Sequence, residues 1–174
     1  KPSQYFQRQC VVSIEPDSLR VEWSGTGQPH PWEINRPIRG IARGLAADGH
    51  LLCCDVSEEW TNVGRPYWEK AGVAHKIELR LAPAAETLRS LPPDPVVDIA
   101  FVDADKAGYP IYYEEILARL RPGGLILVDN VLFMGLVVDA SVTNEMVDAI
   151  RAFNDQVAED ERVDRVMLAV GDGL

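Results

Sequence analysis

Acidic and amide side chains follow three apolar segments of the chain, each at the point where the segment ends. The first segment, HLLCCD, ends at Asp55. The second, VVDIAFVD, ends at Asp103 and is followed by Asp105. The third, LILVDN, ends with Asp129 and Asn130. Carboxylate and amide oxygens are the hard ligands that Mg²⁺ prefers, with water or substrate oxygens completing the octahedron. An acid at a strand end also commonly binds the ribose hydroxyls of a nucleotide-like cofactor. These residue types therefore predict a cation or cofactor site.

The segment Asp103-Ala104-Asp105-Lys106 brings a basic group to this site. Residues two apart on an extended chain face the same side, so Asp103 and Asp105 are expected to share a site that holds a cation or a donor between them. A bound cation and partial burial both lower the pKa of a lysine, which makes Lys106 the candidate general base.

Each of these features also has a purely structural interpretation. Asp55 is equally compatible with a helix N-cap or a surface acid at a strand end. The 103–106 segment is compatible with a polar loop that holds a surface ion pair, and Asp-Asn alone is common in turns. The coincidence of the 103–106 segment with Asp129 and Asn130 favours a site. Asp172, in Gly-Asp-Gly, predicts a turn, and Tyr109, Tyr112 and Tyr113 predict core or rim positions.

Strand-like and helix-like segments alternate from residue 41 onward, which predicts an α/β domain with a mainly parallel, doubly wound sheet. The predicted strands are 50–56, 76–81, 96–103, 125–130 and 165–170; a helix ending at 47 is followed by helices 57–71, 84–91, 109–120 and 143–158. Ligands of such sheets bind beyond the carboxyl ends of the strands, where the polar residues fall.

The first 40 residues differ in character, with five prolines and weak periodicity. Segments 10–14 and 19–23 are candidate strands there. The prediction is one domain, 1–174, made of an atypical segment, 1–40, and a regular α/β core, 41–174.

Composition excludes several classes of function. The formal net charge of −10 argues against nucleic acid or anionic membrane as a partner, because both would be repelled. No apolar run approaches the roughly 18 residues of a membrane span, and the first ten residues lack a signal-peptide core, so a cytoplasmic location is expected. Three cysteines without framework spacing predict a reducing compartment.

A family resemblance is carried by the segments LLCCDVSEEW, KIELRLAPAAETL, FVDADKAGYPIYYE, LRPGGLILVDNVLF and RVDRVMLAVGDGL. In order and spacing they resemble the cation-dependent class I O-methyltransferases, such as the caffeoyl-CoA and catechol enzymes, across residues 41 to 174. The resemblance implies a Rossmann-like sheet of the class I S-adenosylmethionine (SAM) methyltransferase type. It also implies a chain incomplete at both ends, because the family's N-terminal helices and last strand are not evident.

The resemblance implies a role for each candidate residue. Asp55 matches the acid that binds the SAM ribose, Ala84 stands where the backbone meets the adenine, and Asp105 matches the acid near the methionine moiety. The metal ligands are matched by Asp103, Asp129 and Asn130, and the catalytic base by Lys106. The metal is expected to be Mg²⁺, with Ca²⁺ or Mn²⁺ as alternatives. The expected substrate is an aromatic vicinal diol, such as a catechol, and the expected assembly is a homodimer.

The family's glycine-rich SAM loop is not recognisable in this chain. Counting back along the sequence places it near residues 29 to 37, PHPWEINRP, where the prolines predict a break in the expected strand and helix. An imperfect match to the glycine motif, VEWSGTG, lies at 21–27, shifted from the expected position and with the wrong glycine spacing. Two alternatives to an active methyltransferase therefore stay open. One is a non-catalytic interaction or dimerisation module, and the other is a nicotinamide-dependent oxidoreductase, which lacks support because no G-x-G-x-x-G loop is present.

Overall fold

Five parallel strands form one sheet in the computed structural model, which describes the backbone of residues 9–14 and 31–174. The order across the sheet is β3-β2-β1-β4-β5, and every pairing is parallel. The strands are β1 Gln9–Ile14, β2 His50–Asp55, β3 Ile77–Leu81, β4 Val97–Asp103 and β5 Leu120–Val128. The predicted α/β class with a parallel sheet is confirmed, and the first candidate strand is its central strand.

Helices cover both faces of the sheet, as a doubly wound fold requires. They are α1 Pro31–Gly44, α2 Glu58–Lys70, α3 Ala84–Ser90, α4 Tyr109–Leu117 and α5 Glu145–Glu159, with 3₁₀ turns at Ala74–Lys76, Lys106–Gly108 and Phe133–Val138. Alternate residues of β2 face opposite sides: Leu51 and Cys53 pack with Trp68 of α2, whereas Leu52 and Cys54 pack with Leu88 of α3. The adjacent cysteines therefore belong to two different halves of the core.

The strand register brings the acidic strand ends to one level of the sheet. Ser13 of β1 pairs with Cys54, and Ile14 pairs with Asp103, so Asp55 and Asp103 end on either side of β1. The strand order reverses direction between β1 and β4, which is the switch point where open α/β sheets bind their ligands.

Helix α1 continues through the segment where the prolines predict a break, so that prediction is wrong. Pro31 stands at the first helical position, where its missing N–H costs nothing. Pro37 removes a helical hydrogen bond, at a cost of about 3 kcal/mol. Ile38 and Ala42 are buried against the sheet and α2, and burying each large apolar side chain returns about 1.5–3 kcal/mol. Burial of Ile38 thus offsets much of the local penalty.

The chain around β5 also differs from the sequence prediction. Helix α4 ends at Leu117 rather than 120, and β5 begins at Leu120 rather than 125. The register shifts between Val97, which pairs with Leu120, and Ile99, which pairs with Leu125. Gly123, with a φ of 80°, lies in this irregular stretch. A bulge therefore absorbs the Arg-Pro-Gly-Gly sequence that suggests a simple turn.

The predicted strand at 165–170 is wrong, because the segment is not part of the sheet. Val166 and Met167 are exposed, and the backbone of Leu168 pairs with that of Leu174 instead. Apolar residues favour a strand, but a strand forms only where a neighbour satisfies its backbone groups. The candidate strand 19–23 and the imperfect glycine motif at 21–27 lie outside the described residues. Among the described residues, no helix is long and apolar enough to cross a membrane.

Candidate active site

The loop after β4 turns directly into α4 and carries the candidate base. Asp103 ends the strand, and a 3₁₀ turn from Lys106 to Gly108 leads into the helix. A Cβ at Gly108 would lie 2.5 Å from the ring of Tyr112, so only glycine lets the loop pack this closely on α4. Lys106, at the start of this turn, is buried.

Lys106 is buried, and its ammonium group lies among oxygens from three parts of the chain. Its Nζ donates to Tyr109 Oη at 2.5 Å and to Asn130 Oδ1 at 3.0 Å. The same nitrogen lies 3.5 Å from Asp103 Oδ1. Lys106 therefore joins the loop after β4 to the loop after β5.

Burial lowers the pKa of Lys106, and the charges of Asp103, Asp129 and Asp172 raise it in opposition. The ion pair with Asp103 is almost closed to water, since the lysine side chain is 5% exposed. Burial therefore disfavours the charged form of Lys106, and the nearby carboxylates favour it. Enzymes use this combination to tune the pKa of a catalytic base.

Tyr109 connects the lysine to the end of β5. Its hydroxyl accepts from Lys106 and donates to the backbone carbonyl of Asp129 at 2.8 Å. Its ring is buried and meets Phe153 of α5 edge to face, with 5.4 Å between the centroids. Burial first, and then the charges of Asp103, Asp129 and Asp105, raise the pKa of Tyr109 well above its usual range. The hydroxyl therefore keeps its proton and orients its neighbours.

The turn after β5 places Asp129 and Asn130. The N–H of Asp129 donates to the carbonyl of Val102 at 2.9 Å, which keeps this residue beside β4. The N–H of Asn130 donates to Asp129 Oδ1 at 2.8 Å. Asn130 has a φ of 60°, a left-handed conformation that asparagine tolerates better than most residues. The residue types at this turn thus allow a sharp bend, and the Asn130 side chain reaches Lys106 of the loop after β4.

Asp105 is oriented by α4. Its Oδ1 accepts a short hydrogen bond from the hydroxyl of Tyr112, which is buried one turn into that helix. The charge of Asp105 also acts on Tyr109, together with those of Asp103 and Asp129. The charges of all three acids therefore act on one buried hydroxyl.

Asp55 and Ala84 lie on the other side of β1. Asp55 is buried and accepts a hydrogen bond from the N–H of Ser57 at 2.7 Å. Burial raises the pKa of Asp55, and hydrogen bonds from the N–H groups of Ser57 and Val56 oppose this shift. The carbonyl of Asp55 accepts from the N–H of Ala82 at 3.0 Å, which brings the start of α3, with the buried Ala84, against the end of β2.

The structure thus brings Asp103, Lys106 and Asn130 into direct contact, and joins Asp129 to them through Tyr109. Sequence reasoning missed the roles of Tyr109 and Tyr112, which were expected only in the core or at the rim. The signal was present, because a tyrosine three residues after Lys106 lies one helical turn away. Asp172 was also missed, since its contacts are made with the distant loop after β5.

The candidate cation ligands are oxygen donors of two carboxylates and one amide. No group of three or more His, Cys, Asp or Glu side chains able to hold a metal occurs in the described part of the chain. The set predicted from sequence differs, because it combines the carboxylates of Asp103 and Asp129 with the Asn130 amide. Oxygens of two of these residues already lie within 3.5 Å of one ammonium nitrogen. All three are hard oxygen donors, so the set fits Mg²⁺ or a similar ion.

Comparison with known proteins decides the family. The family model described as O-methyltransferase matches residues 38–174, which hold all the site residues. The chain belongs to the O-methyltransferase family. The match includes the α2 to α5 core and leaves out only residues 1–37, where the sequence is atypical.

Similar O-methyltransferases include a probable caffeoyl-CoA O-methyltransferase of Dictyostelium discoideum, 44% identical over 138 residues, which cover 76% of this chain and 60% of that protein. A catechol O-methyltransferase domain-containing protein of Mus musculus is 40% identical over 137 residues, which cover 77% of this chain and 52% of that protein. The chain therefore spans only half to three-fifths of the length of these relatives.

The structure resembles that of an O-methyltransferase from Bacillus cereus in complex with S-adenosylhomocysteine (SAH). The TM-score is 0.76 at 28% identity, and the match covers 98% of this chain and 71% of that one. This likeness confirms the Rossmann-like fold and supports SAM as the cofactor of the family.

Proposed function

We propose that this chain is the larger part of a SAM-dependent, divalent-metal-dependent O-methyltransferase. Its acceptor is a hydroxyl of a catechol-like or other vicinal-diol aromatic small molecule. The observation that carries the proposal is the convergence of Asp103, Lys106 and Asn130 at the ends of neighbouring parallel strands. The names of the similar proteins, which include caffeoyl-CoA and catechol O-methyltransferases, support the class of acceptor.

The proposed cation ligands are Asp103, Asp129 and Asn130. Mg²⁺ is the first candidate, with Ca²⁺ or Mn²⁺ as alternatives. Such an ion acts as a Lewis acid that lowers the pKa of a hydroxyl and orients it for attack. Three protein oxygens leave positions for both oxygens of a vicinal diol, and the protein's contribution is to hold its own oxygens at fixed strand ends.

The proposed SAM site extends from the end of β2 to the loop after β4. Asp55 would accept hydrogen bonds from the ribose hydroxyls, with the backbone at Ala84 beside the adenine. Asp105, oriented by Tyr112, would lie near the methionine moiety. Because β1 separates Asp55 from Asp103 by one strand, an extended ligand can reach both acids across the end of the sheet.

Lys106 is the proposed base. Lys106 Nζ would take the proton of the acceptor hydroxyl; bound SAM would supply the methyl group and leave as SAH. Because SAM already carries a good leaving group, the protein's main tasks are to position the two reactants and to remove this proton. Burial, which lowers the pKa of Lys106, favours the neutral amine that this step needs.

The assembly and location of the protein stay predictions. A homodimer is implied by the family resemblance, and net charge and the apolar pattern of the sequence predict a cytoplasmic protein without nucleic-acid or membrane partners. The net charge of −10 supports the exclusion of anionic partners.

Titration calorimetry of the purified chain with SAM, with and without Mg²⁺, tests the proposal. We expect saturable one-to-one SAM binding, followed by metal-dependent methylation of catechol-type acceptors. EDTA should abolish the transfer and added Mg²⁺ should restore it. A folded chain that binds no SAM would contradict the proposal and favour a non-catalytic interaction module. Turnover that is unchanged in EDTA would overturn the metal dependence alone.

A further inference from the structure

The turn Gly171-Asp172-Gly173 packs directly against the loop that follows β5. The N–H of Leu132 donates to the carbonyl of Asp172 at 3.0 Å, and the N–H of Val131 donates to that of Gly173 at 3.3 Å. Gly173 has a φ of 89°, and a Cβ there would lie 2.5 Å from Leu132 Cγ. Glycine is therefore required for this close approach, which brings Asp172 against the loop of the candidate cation ligands.

The Asp172 carboxylate uses both of its oxygens on that loop. Oδ1 accepts a short hydrogen bond from the backbone N–H of Met134. Oδ2 accepts from Nδ2 of Asn130 at 3.4 Å. Met134 has a φ of 54°, a conformation that needs support from its surroundings. A residue that served only as a turn would need neither contact.

The two ends of the Asn130 amide face opposite kinds of partner. Its Oδ1 accepts from Lys106 Nζ, which can only donate while the lysine is charged, and its Nδ2 faces the Asp172 carboxylate, which can only accept. Rotation of the amide by a half turn would place NH₂ against the ammonium and oxygen against the carboxylate. Both contacts would then be repulsive, so Lys106 and Asp172 together allow one orientation.

We propose that Asp172 is a positioning residue of the candidate cation site, which holds the Asn130 amide with its oxygen directed into the site and its NH₂ directed away. This inference rests on the proposed metal-dependent function, because only the oxygen of the amide can bind a cation. Asp172 would thus act through Asn130, as outer partners commonly orient the side chains that ligate a metal. It also adds a negative charge that acts on Lys106.

Two variants of the full chain test the inference by different routes. Asp172→Asn keeps the shape of the side chain but leaves one oxygen for two donors, so that only Lys106 still orients the Asn130 amide. The exchange variant Asn130→Asp with Asp172→Asn restores every contact. Its new carboxylate accepts from Lys106 and from the new amide NH₂, while the new amide oxygen accepts from Met134. The net charge of the exchange variant equals that of the parent chain.

The first readout is the affinity for Mg²⁺ and Mn²⁺ alone, measured by calorimetry, with thermal unfolding recorded for each variant. We expect Asp172→Asn to weaken binding about 10–100-fold, the range for loss of an outer partner, and the exchange variant to recover to within about threefold of the parent. Asp164→Asn, at an exposed acid of the preceding segment, is the matched control for lost charge. An exchange variant that binds as weakly as Asp172→Asn would overturn the inference.

The second readout does not need the metal. The side-chain NH₂ signals of Asn130 in a ¹⁵N spectrum are assigned by their loss in the exchange variant. We expect Asp172→Asn to shift them and to speed their exchange with solvent, whereas Asp164→Asn leaves them in place. If the parent chain binds no cation, the metal-dependent function fails, and these signals still decide the role of Asp172. Unchanged Asn130 signals in Asp172→Asn would overturn it.

Discussion

Lys106 and Asn130, 24 residues apart in sequence, meet through a hydrogen bond of 3.0 Å from Nζ to Oδ1. The contact joins the loop after β4 to the loop after β5, and the same Lys106 nitrogen also lies 3.5 Å from Asp103 Oδ1. In a parallel sheet such a contact depends on the two strands being neighbours.

Replacing Lys106 with methionine should remove the base and leave the fold. We expect kcat to fall about 10²–10⁴-fold, the usual contribution of a positioned acid or base, while the affinity for SAM changes little. Steady-state kinetics and SAM calorimetry provide the two readouts. Lys70→Met, at an exposed lysine of α2, is the control and should behave like the parent. Parent-like turnover in Lys106→Met would remove the assigned role.

Replacing Asp103 with alanine should abolish metal-dependent turnover. The change removes a proposed ligand and the carboxylate that lies 3.5 Å from the Lys106 ammonium. The loss of cation affinity should exceed the roughly 10–100-fold that the loss of an outer partner costs. Calorimetry with Mg²⁺ measures it, with Asp164→Asn as the control for charge. A variant that stays active and metal-dependent would show that Asp103 is not a ligand.

The variant Asp55→Asn should change stability and cofactor affinity in opposite directions. Burial raises the pKa of Asp55, so the protonated carboxyl group favours the folded state. This contribution is fully present below the pKa of the unfolded chain, about 3.9, and is lost as the pH rises through the folded value. At pH 7 we therefore expect Asp55→Asn to raise Tm. Its SAM affinity should fall, because a hydrogen bond to a charged group contributes about 1.5–3 kcal/mol.

Thermal unfolding and SAM calorimetry at pH 7 measure these two effects separately. Asp48→Asn, at an exposed acid before β2, is the control and should change neither. A lower Tm together with unchanged SAM affinity would contradict both parts of the prediction.

The Cys54 thiol should destabilise the fold at high pH. Burial raises the pKa of Cys54 from 9.0 to about 11, so the unfolded chain loses this proton first. Stability is then fully present below about pH 9 and falls as the pH rises to about 11, by at most about 1.4 kcal/mol per pH unit. Denaturant unfolding of the parent and Cys54→Ala between pH 8 and 11 isolates this slope. Parallel pH profiles would contradict the prediction.

Local sequence determined most of the strands and the positions of the candidate site residues at their ends. Apolar runs such as those ending at Asp55 and Asp103 form buried strands almost where predicted, because burial on both faces needs an uninterrupted apolar run. The acids at their ends follow directly from the positions of the strand ends. The family resemblance across residues 41–174 is confirmed by the match to the family model over 38–174.

Tertiary structure alone decided which of these residues are in contact. It also decided where the local sequence pattern does not predict the secondary structure. Helix α1 tolerates Pro37 because Ile38 and Ala42 are buried, and the apolar segment at 165–170 is not a strand because it does not pair with the sheet. The contacts of Asp172 with Asn130 and Met134 span about forty residues of sequence. Patterns of neighbouring residues carry no information on such pairings, which depend on strand order, register and the close approach that Gly173 permits.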